Sequence, residues 1–265
     1  MYHGIKLKKK FGQHFLINEK IKHKIIEYAD ISKKDVILEI GAGIGSLTTP
    51  LCKNARKVIA IEKDGELVDF LRNVFSNEKK VKIIEGDVLK IKLPKANKIV
   101  STPPYNISSE LIFLLLDHGF KTIVLVLQKE FARRLVSKPG SKNFGRLTVM
   151  VRYKGEVELL EYVSKENFYP VPKVDSAIVR IVPRKDIPKL VYDDLFNDFV
   201  RELFSQRRKK TRKVISSFME KKFGGYSKKI ILPNKLEEKR VYELSNNEIM
   251  SLFLYHRAKK DLKKY

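Results

Sequence analysis

Short apolar runs that alternate with amphipathic segments constrain this chain more than any other feature of its sequence. Val36–Ile40 ends at Gly41-Ala42-Gly43-Ile44-Gly45 and gives way to a helical pattern from about Ser46. Lys57–Glu62 predicts a second strand, residues 65–75 a helix, and residues 81–84 a third strand closing at Gly86-Asp87. Ile99-Val100 leads into Pro103-Pro104-Tyr105, Ser108–Leu116 has helical spacing, and residues 122–127 are nearly all apolar. Strands that are apolar along their whole length are buried on both faces, and helices between them supply the crossovers that parallel strands need. The expected fold is α/β, a doubly wound, mostly parallel, Rossmann-like sheet.

The pattern changes towards the end of that region. Residues 147–153 and 176–182 have high β propensity and are expected to pair as antiparallel strands at one edge of the sheet. After Pro183 and Pro188 the chain becomes helical and more basic, with amphipathic helices expected over 193–204, 212–223 and 246–256 and a loop from Gly224-Gly225 to Pro233. The predicted division is a larger α/β domain with a basic N-terminal segment, residues 1–184, and a small, helical, basic C-terminal domain, residues 185–265.

Charge narrows the partners. Lys and Arg number 55 against 31 Asp and Glu, a formal charge of +24 over 265 residues. This excess favours a nucleic acid, although Lys enrichment also accompanies thermal adaptation and can simply solvate a surface. No apolar run approaches the ~20 residues that span a bilayer. The basic first ten residues lead into Gly12-Gln13 and not into an apolar targeting segment. A cytoplasmic protein without membrane attachment is expected. Cys52 is the sole cysteine, which excludes a disulfide within the chain, and it reads as a small buried helix residue. His3, His14, His23, His118 and His256 show no pair at metal-ligand spacing, so no metal is expected.

The strand ends carry the chemistry. Glycines 41, 43 and 45 permit a sharp turn where open α/β sheets bind ligands. Their spacing departs from the dinucleotide fingerprint Gly-x-Gly-x-x-Gly, because Ser46 occupies the place of the third glycine. Glu62 at the second strand end can accept hydrogen bonds from ribose hydroxyls, and Asp87 with Val88 at the third can meet an adenine; an adenosyl group is the implied ligand. Each acid alone would also serve as a helix cap. Thr102-Pro103-Pro104-Tyr105-Asn106-Ile107-Ser108 follows the fourth strand and is similar to the Asn-Leu-Pro-Tyr and Asp-Pro-Pro-Tyr loops of methyltransferases acting on exocyclic base amines. Such an amine is a weak nucleophile because its lone pair is delocalised, and acceptors for its hydrogens favour the reactive, pyramidal form. Two prolines stiffen the loop and remove donors, and Tyr105 can stack on an extruded base.

Several segments together resemble the KsgA-type ribosomal RNA adenine dimethyltransferases, which have the class I methyltransferase fold. They are Lys10-Phe11-Gly12-Gln13-His14-Phe15-Leu16-Ile17, Leu38-Glu39-Ile40-Gly41-Ala42-Gly43, the Pro-Tyr-Asn-Ile-Ser loop, Asn143-Phe144-Gly145-Arg146-Leu147, residues 168–176 (Phe-Tyr-Pro-Val-Pro-Lys-Val-Asp-Ser) and residues 203–209 (Leu-Phe-Ser-Gln-Arg-Arg-Lys). The resemblance implies four methyl transfers from S-adenosylmethionine to two adjacent adenosines in the 3′-terminal hairpin loop of small-subunit RNA, in an assembling subunit, by a monomeric enzyme that leaves S-adenosylhomocysteine. It also implies that His14 and Leu16 lie over the methionine part of the cofactor, that Gly41 and Gly43 line it, and that Glu62 binds its ribose and Asp87 its adenine. Thr102, Pro103 and Tyr105 would meet the target amine and Phe168 would stack on the target base. Thr102 departs from the family's usual Asn.

Arg207, Arg208, Lys209, Lys210, Arg212 and Lys213 are interrupted only by Thr211, with Glu202 as the nearest preceding acid. Read as one helical face, these cations cannot all pair locally, and they are expected on RNA phosphate together with Lys8, Lys9 and Lys10. A solvated helix face is the plainer alternative. A methyltransferase of another RNA or of DNA, and a non-catalytic assembly factor of the small subunit, are the competing functions.

Overall fold

The computed structural model describes residues 8, 12–187, 194–223 and 234–261. The chain divides into two compact units, one of Met1–Arg133 with Gly155–Lys185 and the other of Arg134–Lys154 with Asp186–Tyr265. Residues 134–154, expected in the first domain, fall in the second unit with Asp186–Tyr265.

A two-residue strand β1 (Phe15–Leu16) and helix α1 (Glu19–Tyr28) precede the main sheet. The Asn18 side chain accepts from the Ile21 amide and so caps α1. The sheet begins with β2 (Val36–Ile40), β3 (Lys57–Glu62), β4 (Val81–Glu85), β5 (Lys98–Ser101) and β6 (Thr122–Gln128), connected through α2 (Thr48–Asn54), α3 (Gly65–Val74) and α4 (Ser108–Leu116). Helix α5 (Lys129–Leu135) follows β6. These strands run parallel in the order β4-β3-β2-β5-β6. The sequence order reverses between β2 and β5, and ligands bind open α/β sheets at the carboxyl ends of the strands beside such a point. Leu38, Val58, Val100, Val124 and Val126 are fully buried, as expected of strands covered on both faces.

The antiparallel edge exists, but half of it differs from expectation. Residues 147–153 are helical, within helix α6 (Arg146–Lys154) of the second unit. A short, mostly apolar run fits a buried strand or a buried helix equally well, so periodicity could not separate them. Thr148 near the helix start accepts from the Gly145 amide and donates to the Arg134 carbonyl. The edge strand is instead β7 (Gly155–Val163), where Glu156-Val157-Glu158-Leu159 alternates with the period of a half-exposed strand. A register shift between Leu159 and Glu161 interrupts that alternation. After the short β8 (Phe168–Tyr169), β9 (Ser176–Pro183) lies antiparallel between β6 and β7. Strand β8 pairs with β1, Phe15 opposite Tyr169 and Leu16 opposite Phe168.

In the second unit, α6 is joined by α7 (Asp194–Ser205), α8 (Thr211–Phe223), α9 (Asn234–Glu237) and α10 (Asn246–Asp261). Edge-to-face rings form its core: Phe196 contacts Tyr153 at 5.4 Å and Phe253 at 5.0 Å, and Phe199 contacts Phe218 at 5.3 Å between centroids. The expected loop over 224–233 lies outside the described residues.

At the amino ends of β2 and β5, Asp35 and Lys98 form a buried pair at 3.2 Å. Burial pushes the Asp35 carboxyl up, but bonds from Ser32, Asn97 and Lys98 outweigh it and hold it at about 2. Removing one partner of such a pair leaves a buried charge uncompensated. Lys98→Met is therefore expected to cost about 3 kcal/mol in urea unfolding. A loss under about 1 kcal/mol would mean that Ser32 and Asn97 suffice for Asp35.

Candidate active site

The turn after β2 is built from glycines because protein side chains already occupy the space above it. Gly41 and Gly43 have φ of 71° and 61°, the left-handed region that other residues rarely adopt. A Cβ on Gly43 would lie 2.7 Å from the Phe15 ring, and one on Gly41 would lie 3.1 Å from Cδ of Pro104. The sequence reading assigned this bareness to ligand approach. The structure adds a prior cause, which is that Phe15 from β1 and Pro104 from the loop after β5 pack onto the turn.

Glu62 holds the turn from the neighbouring strand. Its Oε2 accepts from the Gly43 amide at 2.9 Å, and its Oε1 accepts from the amides of Lys63 (2.8 Å) and Asp64 (3.0 Å). A carboxylate offers about four acceptor sites, so these three bonds fix its orientation and leave acceptor capacity on the cleft side. Glu39, one strand over and 1% exposed, accepts from Thr48 Oγ1 at 2.6 Å. Burial, with the Glu62 charge adding to it, pushes its carboxyl up to about 8.

Asp87 closes the same edge. The Lys63 ammonium at 2.9 Å holds its carboxyl below the ordinary range, and its other oxygen accepts from the Leu89 amide. Lys63 is largely exposed, so this ion pair is weak and yields to a better partner at little cost.

On the opposite side stands the 102–107 loop. Ser101 at the end of β5 donates through Oγ to the Ile40 carbonyl and accepts from the Ile40 amide, tying β5 to β2 where their ladder has ended. Thr102, Pro103, Pro104 and Tyr105 line one continuous cleft with Gly41, Gly43, Glu62, Asp87 and Val88. Among the described residues, the Thr102 hydroxyl and the Pro103 carbonyl have no hydrogen-bond partner, whereas the Pro104 and Tyr105 carbonyls accept from Ile107 N and Ser108 Oγ. The Tyr105 hydroxyl bonds Ser176 Oγ at 2.6 Å, and burial pushes its phenol up, so it is held as a neutral aromatic. The imidazole of His14 stacks on the Tyr105 ring at 6.0 Å and bonds the Pro170 carbonyl through Nδ1 at 2.7 Å.

Three expected positions need correction. Leu16 is fully buried in the core and does not line the cleft; the alternation of β1 turns Phe15 towards the cleft and Leu16 away. Phe168 does reach the cleft wall, but it is only 2% exposed and packs in the core beneath it, so little of its ring is offered to a ligand. Lys8 pairs with Asp64 at 2.7 Å and Glu66 at 2.9 Å, so carboxylates meet its charge before any phosphate does. Gln13 donates to Asp64 as well and accepts from the Lys8 amide, which latches residues beside the cleft onto the start of α3. Lys9 and Lys10 lie outside the described residues. Gln13, Phe15 and Lys63 also line the cleft and were given no role from sequence. The period-two alternation of β1 was the available signal for Phe15.

The cationic run is also corrected. Residues 206–209 form a turn between α7 and α8 and not a helical face. Lys210 pairs with Glu238, and Arg212 with Glu237 at 3.3 Å, acids supplied from a distant part of the chain. Arg207 donates to the carbonyls of Lys142 and Ser141. Arg208 and Lys209 remain exposed. Among the described residues there is no group of three or more His, Cys, Asp or Glu that could hold a metal ion, and no helix long and apolar enough to cross a membrane.

The family model described as ribosomal RNA adenine dimethylase matches residues 4–254. The chain is 43% identical over 260 residues to a protein of Thermococcus onnurineus named probable ribosomal RNA small subunit methyltransferase A, covering 96% of this chain and 93% of that one. It is 39% identical over 253 residues to a protein of the same name from Methanothermobacter thermautotrophicus, covering 94% and 91%. Among solved structures it is similar to a dimethyladenosine transferase from Plasmodium falciparum, with TM-score 0.83, 31% identity and coverage of 93% and 98%. It is also similar to the 23S rRNA methyltransferase ErmE, with TM-score 0.69, 27% identity and coverage of 90% and 98%.

Two outcomes test this geometry. Because Phe15 occupies the space, Gly43→Ala should lower the unfolding temperature even without cofactor, and Phe15→Leu in that background should recover part of the loss; an unchanged cofactor-free unfolding temperature would leave ligand contact as the reason for the glycine. Glu39 ordinarily titrates at 4.5, so its raised folded value means the folded state keeps a proton that the unfolded chain loses. Its contribution is full below 4.5 and is lost as pH rises through about 8. Relative to Glu39→Gln, the wild-type protein should thus lose unfolding temperature progressively across that window. A difference that stays constant with pH would count against a protonated Glu39.

Proposed function

Because the chain belongs to the ribosomal RNA adenine dimethylase family, we propose that it transfers methyl groups from S-adenosylmethionine to the exocyclic amines of two adjacent adenosines in the 3′-terminal hairpin loop of small-subunit ribosomal RNA. The observation that carries the amine chemistry is the pair of unclaimed acceptors, Thr102 Oγ1 and the Pro103 carbonyl, on one wall of a cleft whose other wall is the Gly41–Glu62–Asp87 edge.

The residues present fit the cofactor. An oriented carboxylate at Glu62 suits a ribose, Asp87 with Val88 suits an adenine ring and its amine, and the side-chain-free turn at Gly41 and Gly43 admits a ligand close to the backbone. When bound, S-adenosylmethionine supplies an electrophilic methyl group on a cationic sulfur. Thr102 Oγ1 and the Pro103 carbonyl accept the hydrogens of the adenine amine and draw its lone pair out of conjugation with the ring. The Tyr105 ring, pinned by Ser176 and His14, offers a flat surface for an extruded base, with Phe168 in the wall behind. Orientation of amine and methyl accounts for most of the acceleration, since no residue has to form a covalent bond.

The second unit supplies basic surface for the RNA through Arg208 and Lys209, and the protein acts as a monomer on an assembling small subunit in the cytoplasm. No metal takes part in this scheme.

Mass spectrometry of unmethylated small-subunit RNA after incubation with the protein and isotopically labelled S-adenosylmethionine is expected to show two dimethylated adenosines. Label in neither RNA nor immature subunits, with cofactor bound, would favour an assembly factor without catalysis. Thr102→Ala should lower turnover by roughly tenfold or more while sparing cofactor affinity, as expected for one lost hydrogen bond in the transition state. Unchanged turnover would leave the Pro103 carbonyl as the sole acceptor.

A further inference from the structure

The second unit gathers three segments that are far apart in sequence around one side chain. Arg207 Nη1 donates to the Lys142 carbonyl at 2.7 Å and Nη2 to the Ser141 carbonyl at 3.0 Å, and the guanidinium carbon lies 5.4 Å from the centre of the Tyr242 ring. Backbone bonds close the same node. Gly140 N donates to the Tyr242 carbonyl (2.7 Å), Tyr242 N to the Arg207 carbonyl (3.1 Å) and Val241 N to the Lys209 carbonyl (3.1 Å). Residues 138–142, 207–209 and 240–242 are thereby held in one arrangement. Among the described residues Arg207 Nε is buried and without a partner, so the side chain sacrifices a donor to keep this grip. A planar fork that bonds two carbonyls while stacking on a ring is arginine's alone; lysine carries the charge without the shape.

Carbonyls capture Arg207 without neutralising anything. Around it Lys138, Lys142, Arg208 and Lys209 are exposed, and no described carboxylate lies within ion-pairing distance of any of the four. Among the described residues the Lys209 ammonium bonds the neutral Gln206 amide oxygen alone, and Ser141 turns back onto the Lys138 carbonyl to keep the loop tight. A few residues further on, Lys210 and Arg212 do have carboxylate partners. Two of the cations at the start of α8 are thus cancelled, with Lys213 exposed beside them, whereas none of the four around Arg207 is. Exposed cations that repel one another cost stability unless a polyanion joins them, and a nucleic-acid backbone offers phosphates in series.

We propose that the 138–142 loop and the 207–209 turn form one surface for the RNA phosphate backbone, on which Lys138, Lys142, Arg208 and Lys209 make the contacts and Arg207 is a positioning residue. The proposal rests on the ribosomal RNA reading above and extends it to Lys138 and Lys142, while moving Arg207 from contact to support.

Binding to unmethylated small ribosomal subunits across a salt series tests it, with S-adenosylmethionine binding measured alongside. Lys138→Ala/Lys142→Ala should bind subunits roughly tenfold more weakly, with a salt slope smaller by about two contacts and unchanged cofactor affinity. Arg207→Ala should weaken binding to a similar extent in the wild-type background and add little in the double-lysine background, because its effect runs through the loop. Arg207→Lys should fail to rescue. Full rescue by lysine, or losses that simply add, would make Arg207 a direct phosphate contact and overturn its positioning role. Should Arg207→Ala not fold by circular dichroism, the double-lysine variant, which alters only exposed side chains, decides the surface on its own. If the wild-type protein binds with a clear salt dependence and the double-lysine variant matches it, the surface proposal is overturned. Wild-type binding that ignores salt would instead overturn the RNA reading on which it stands.

Discussion

Backbone pairing between β2 and β5 ends after Leu38 and Ile99, and the gap that opens there organises the first unit. Beyond it the Ser101 hydroxyl joins the two strands through bonds to the amide and carbonyl of Ile40. Strand order reverses at this point, so the turn leaving β2 and the loop leaving β5 diverge and face one another across a cleft. The glycine turn, the proline loop and the two acidic strand ends are each ordinary in isolation. Their chemistry depends on the divergence that lets all four line the same space.

That space is kept in shape by apolar side chains as much as by polar ones. Phe15 and Pro104 press on Gly43 and Gly41 from two directions, which leaves the backbone of the turn no room for a side chain and little room to move. Glu62 binds three amides of the edge at once, those of Gly43, Lys63 and Asp64, and Asp64 in turn holds Lys8 and Gln13. Cofactor turn, adjacent strand and amino-terminal segment are consequently one hydrogen-bonded assembly. His14 and Tyr105 extend it, through Pro170 and Ser176, to the wall where the base would enter.

Charge in the second unit shows how far composition carries. An excess of +24 states that cations must outnumber their possible partners, but not which ones remain unpaired. Glu237 and Glu238 reach Arg212 and Lys210 from a separate segment, and Arg207 spends its donors on backbone carbonyls. Counting acids near the run in sequence therefore misjudged three of its members. The four exposed cations around Arg207 come from two stretches of chain, only one of which looks like a basic motif.

The sequence by itself determined the α/β order of elements, the parallel strands from Val36 to Gln128, and the strand-end residues Gly41, Gly43, Glu62, Asp87, Thr102, Pro103 and Tyr105. These were legible because strand period, glycine turns and proline loops are local consequences of covalent geometry and burial. Tertiary structure decided what local rules leave degenerate. It made a helix of residues 147–153, whose apolar run suits either element, and a strand of residues 155–163. It turned Phe15 and not Leu16 to the cleft, because β8 pairs with β1 in one register only. It also neutralised some cations and not others, since an ion pair forms between groups that the whole fold brings together, whatever their separation along the chain.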